Sequence, residues 1–107
     1  MRPPTVATSK VMERRQLITA VRYSLEELAQ RNPGQAVEVR VPPAGAVQIL
    51  EGTTHRRGTP PAVVETDMTT WMRLVFGALT WEEAIALGSV EASGERADLS
   101  ACLPLFL

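Results

Sequence analysis

The sequence has a single cysteine, Cys102, and a single histidine, His55. One cysteine excludes an internal disulfide and any multi-cysteine metal cluster, and it suits a reducing compartment. His55 has no histidine or cysteine at metal-ligand spacing, and glycine-flanked serines and phosphate-cradling glycine loops are missing as well. Without those motifs there is no signal for a metal site, a hydrolase nucleophile or a nucleotide pocket. Neither a cofactor nor a metal is expected, and the chain is not read as an enzyme. Excess charge is also lacking: 11 basic residues against 12 acidic ones leave a net charge of -1, too weak a field to gather nucleic acid. No apolar run reaches the length of a membrane span, which argues against stable membrane insertion. Arg2, Lys10, Glu13, Arg14 and Arg15 precede any apolar stretch, the wrong order for a signal peptide, so a cytoplasmic location is expected.

What is present fits one domain. A chain of 107 residues buries roughly two thirds of the surface its unfolded form exposes, enough for a single core. Residues 1–10, with Pro3 and Pro4 and no period, read as a loose arm, and the domain is expected over 11–107. From about Val11, Ile18, Val21, Leu25 and Leu28 recur at helical spacing, with Glu13, Arg22, Glu26, Glu27 and Arg31 on the other side. Pro33 and Gly34 end that helix, the proline by restricting Asn32 and the glycine by permitting the turn.

The period then falls to two. Val37, Val39 and Val41 alternate with Glu38 and Arg40, and Val47 and Ile49 flank Gln48 until Leu50 breaks the pattern. With "PPAG" between them these segments predict an antiparallel hairpin. "AVVETD" supplies a third strand and "SVEAS" a fourth, with Val90 and Ala92 pointing inward. The strands are expected near 37–41, 46–51, 62–66 and 89–93. Clean alternation describes a sheet wet on one face and covered on the other. The fold class is therefore α+β, a mainly antiparallel, curved sheet of four to five strands covered on one face by helices.

Two helices follow the third strand. Asp67 or Thr69 is placed to cap the first, and Thr80 and Glu83 in "TWEE" form a capping box for the second, which Gly88 stops. The first of these, around Trp71, is apolar almost all round: Thr70, Arg73, Gly77 and Thr80 make one narrow strip, and Trp71, Met72, Leu74, Val75, Phe76, Ala78 and Leu79 occupy the rest. Near the end, Leu99, Cys102, Leu103 and Phe106 stand at helical spacing, with Pro104 ending the helix near Leu103. Cys102 reads as a small buried hydrophobe. The second apolar side of the Trp71 helix and the final "PLFL" both need cover, and dense core, apolar cavity and dimer interface all satisfy the pattern.

The strings "D-x-x-T-W-x-x-L-x-x-G-x-L-T" from Asp67 to Thr80, "E-A-I-A-x-G-x-V-x-x-S-G" from Glu83 to Gly94 and "L-x-x-C-L-P-L-F" from Leu99 to Phe106 resemble the sterol carrier protein family. The resemblance implies helices closing a hydrophobic tunnel that takes fatty acids, acyl-coenzyme A or sterol-like molecules, bound and carried without catalysis. On that reading Trp71, Leu74, Val75 and Ala78 line the tunnel with Leu99, Leu103 and Phe106 from the closing segment. Trp71→Ala is then expected to cost less stability than Trp81→Ala. Arg56 and Arg57, in the polar loop after the hairpin, would meet an anionic head group if that loop lies at the tunnel mouth. The chain ends in "LFL", not the Ser-Lys-Leu peroxisomal address. An accessory or dimerising module of the same fold, without ligand, is the alternative, and monomer and homodimer both stay open.

Overall fold

The fold is that of a computed structural model describing residues 6–52, 62–94 and 97–106, with backbone alone for 6–11. In chain order it comprises α1 (Val6–Arg31), β1 (Val37–Val41), β2 (Gly45–Ile49), β3 (Ala62–Thr66), α2 (Met68–Val75), α3 (Trp81–Ala86) and β4 (Val90–Ser93). The four strands form one sheet in the order β2-β1-β3-β4. Helices and sheet make an α+β domain.

Each strand lies where the alternation puts it. Val37, Val39 and Val41 are buried, as are Ile49, Ala62, Val64 and Val90, while Arg40, Gln48 and Glu91 are exposed. Two of the three pairings are antiparallel, Val39 facing Val47 and Val64 facing Ala92. The third, β1 with β3, is parallel, Val39 facing Val64, so the sheet is mixed. Strand direction alternates along the chain, but β1 sits between β2 and β3 and brings two strands of like direction together. Period-two patterning fixes which face is buried and carries no information about lateral order. Ala92, expected to point inward, is exposed: of the edge strand β4 only Val90 is buried.

Helix α1 packs on β2 and α2, burying Val21, Leu25 and Leu28 and partly covering Leu17 and Ile18. Each fully buried aliphatic side chain contributes about 1.5–3 kcal/mol by leaving water. The helix begins at Val6, inside the segment expected as a loose arm, because residues 6–10 contain no proline or glycine to stop it. It ends at Arg31, as Pro33 dictates. There the chain closes a tight joint with the end of β2: Leu50 N–H donates to Asn32 O and Ala36 N–H to Leu50 O, both at 2.9 Å. Leu50 holds φ at 65° to do so, which is where the alternation of β2 breaks. Gly34 is required at this joint, since a Cβ there would stand 1.9 Å from Leu50 O.

The short helices are held by their caps. Asp67 accepts from Thr70 N–H at 2.8 Å and from the Thr70 hydroxyl at 2.9 Å. Thr80 and Glu83 form the reciprocal box at 3.1 Å each way. Helix α2 is shorter than the apolar run around Trp71 suggests. It stops at Val75, Phe76 is its cap, and Gly77 takes φ 78° while Ala78 and Leu79 N–H both return to Arg73 O. A left-handed glycine at this place ends a helix however apolar its continuation.

Residues 97–106 are not a helix beyond one turn, in which Cys102 and Leu103 N–H donate to Leu99 O. Asp98 accepts from Ser100 N–H at 2.9 Å, and Pro104, with no N–H to donate and a ring that crowds the preceding turn, keeps that turn from continuing as a helix. The segment instead runs as a strap against α2, with Leu105 and Phe106 N–H donating to Val75 O at 2.9 and 3.0 Å.

Candidate functional site

Helix α2 has two differently used sides. On one side, Met68, Trp71, Leu74 and Val75 are buried, in one cluster with Leu99, Leu79, Trp81 and the valines of β1. Trp71 is 0% exposed. Its indole N–H donates to Ser24 Oγ at 2.8 Å, and the Ser24 hydroxyl donates to Val21 O at 2.7 Å. Ser24 itself is wholly buried on the core stripe of α1. Among the described residues no buried side-chain nitrogen or oxygen lacks a partner. A buried indole N–H without an acceptor would cost about 1–3 kcal/mol, and Ser24 removes that cost.

On the other side, Met72 and Phe76 face a groove of about 600 Å³, within the size range of small-molecule sites. Its long wall is α1, which presents Gln16, Thr19, Ala20 and Tyr23, with Arg15 at one end. Phe106 of the strap completes it. Phe106 stacks on Tyr23, ring centroids 6.2 Å apart, and lies tilted against Phe76 at 5.8 Å. Arg31 fixes the strap: its Nη1 donates to Leu105 O at 2.7 Å, its Nε to Glu27 at 3.0 Å, and its guanidinium carbon sits 5.5 Å from the Phe106 ring centre. Tyr23 and Phe76 are nonetheless about 60% exposed, at 62% and 60%, so a large aromatic surface is open to water here.

The sequence-chosen tunnel residues are therefore divided. Trp71, Leu74, Val75 and Leu99 are brought together, but in the packed core. Leu103 is half-buried at its margin. Ala78 lies beyond the end of α2 and is exposed, because Gly77 turns the chain away. Phe106 lines the groove. Arg56 and Arg57, like His55, lie outside the described residues. The α1 wall was missed, although Gln16, Thr19, Ala20 and Tyr23 follow helical spacing. Their mixture of polar, small and aromatic side chains gives no hydropathy contrast to detect.

Cys102 is half-buried, and burial together with the nearby Asp98 raises its thiol pKa, keeping it protonated near neutral pH. Its Sγ donates to Asn32 Oδ1 at 3.6 Å. Among the described residues no three His, Cys, Asp or Glu side chains converge to hold a metal, and no helix is long and apolar enough to cross a membrane.

No curated protein matches the chain. The family model described as a bacterial SCP ortholog matches residues 13–105, from the first half of α1 to the strap that carries Phe106. The match takes in α1 from Glu13 onward, both short helices, all four strands and the strap as far as Leu105, and the chain belongs to the sterol carrier protein family.

Proposed function

We propose that the protein binds and carries a hydrophobic or amphipathic lipid, of the fatty acid, acyl-coenzyme A or sterol-like kind, without catalysing a reaction on it. Family membership supports lipid binding in general. The observation that carries the reading to this chain is the open groove between α1, Phe76 and Phe106. Three separate segments contribute apolar side chains to it, and two of its aromatic residues face water. Exposed aromatic surface collected in a concavity is what a soluble protein avoids unless something sits on it. The buried face of α2, filled by Trp71 and its neighbours, is the rigid floor beneath that groove and not the ligand's own space.

Gentle purification followed by native mass spectrometry and organic extraction tests this. A copurified amphiphile, or uptake of one fluorescent fatty acid per chain that Phe106→Ala weakens severalfold, is the expected result. An apo protein that takes up no fatty acid, acyl-coenzyme A or sterol would sink the proposal and favour the ligand-free accessory module.

A further inference from the structure

The groove has chemically unequal ends. Tyr23, Phe76 and Phe106 cluster at one, and eight residues earlier along α1, about 12 Å at 1.5 Å per residue, Arg15 stands at the other beside Gln16. The arginine at the aromatic end is engaged: Arg31 is bonded to Glu27 and to Leu105 O and lies over Phe106. Arg15 is exposed, and the ion pairs among the described residues, Glu27 with Arg31 and Glu38 with Arg40, do not include it. Among the described residues no carboxylate lines the groove.

From this asymmetry we propose that the groove selects single-chain amphiphiles with an anionic head, and that Arg15 is the residue that reads the charge. The inference rests on the lipid-binding reading above. Arg15 offers a planar fork of donors that fits a carboxylate or a phosphate in bidentate fashion. Gln16 and Thr19 add neutral hydrogen-bonding groups next to it. The chain of the ligand then runs past Ala20, whose small side chain leaves room, and its end rests on the aromatic cluster. Head-group recognition is thus built into α1.

The test is calorimetric titration of the full chain with dodecanoate, dodecyl phosphate and dodecanol, below their aggregation limits, at low and high salt. Both anions, or whichever of the two fits the fork, should bind about fivefold more tightly than dodecanol, a ratio in keeping with a partly exposed ion pair. That ratio should shrink as salt rises. In Arg15→Gln it should vanish, whereas Arg14→Gln, altering a neighbouring exposed arginine outside the groove, should preserve it. Equal binding of all three by the unaltered protein, or equal loss of preference in both variants, overturns the role of Arg15 while the lipid reading stands. Binding of none of the three overturns the lipid reading itself, and a dimer in sedimentation that Phe76→Ser dissolves would identify a second copy of the chain as the occupant instead.

Discussion

The two sides of α2 differ less in composition than in what meets them. Trp71, Leu74 and Val75 on one side and Met72 and Phe76 on the other are all large and apolar, yet the first three are sealed and Phe76 is mostly exposed. Trp71 finds a buried hydroxyl within hydrogen-bond distance and a place in the core cluster that includes the valines of the sheet. Phe76 finds only another aromatic edge, Phe106, and then water. Hydrophobicity says that a side chain gains from burial, but the partners set by topology decide whether it is buried. An apolar helix with two good sides can therefore be half sealed scaffold and half open surface.

Substitutions can be ranked by how hard they strike this contrast. The largest effect is expected from Trp71→Ala, which empties a filled site and should cost about 3–5 kcal/mol in urea unfolding. The loss should exceed that of Trp81→Ala, whose ring is not fully enclosed at 7% exposure. This reverses the order expected when Trp71 is placed beside a tunnel, and a smaller loss at Trp71 would restore that placement. Next comes Ser24→Ala, which strands the indole N–H at a cost of about 1–3 kcal/mol. Combining it with Trp71→Phe, which removes the donor, should give less than the sum of the single losses, and strict additivity would mean that the bond contributes nothing.

On the open side the pattern inverts. Phe76→Ser should change unfolding free energy by no more than about 0.5 kcal/mol, as expected at exposed positions, while weakening fatty acid binding severalfold. A variant that unfolds easily but binds normally would make Phe76 part of the scaffold after all. The smallest effect concerns Glu83, whose carboxyl accepts Thr80 N–H and is thereby held below the usual carboxylate range. A depressed pKa means that the stabilisation is present above the unfolded value of about 4.3 and fades as pH falls through the folded one. Amide exchange in the first turn of α3 should accelerate over that acid range in the native chain and change less in Glu83→Gln.

Sequence reading succeeds here where one residue type does one local job. Alternating valines mark β1 because each side chain has only two faces to choose from, and Asp67, Thr80 and Glu83 mark helix starts because their partners lie three residues away. It falters where the outcome depends on a distant partner. Ser24 looks like a polar interruption until Trp71 arrives 47 residues later in the chain. The parallel pairing of β1 with β3 depends on lateral order, which no strand encodes by itself. Leu99, Cys102, Leu103 and Phe106 mimic a helix, but Pro104 and the bonds to Val75 O make a strap of it. The groove was hard to read for a related reason. Its α1 wall is neither polar nor apolar, and its third wall comes from a segment 74 residues beyond Arg31, to which Leu105 O is bonded.

That last separation orders events during synthesis. The helix forming the groove's long wall leaves the ribosome early, whereas the ring that completes the groove is attached to residue 106 and emerges after every strand. Contacts so far apart in the chain are costly to close and form late. A nascent chain that has not yet reached Leu105 would thus carry α1 with Tyr23 uncovered by Phe106 and the backbone oxygen of Val75 without its strap, so the groove takes shape only after every strand has been made.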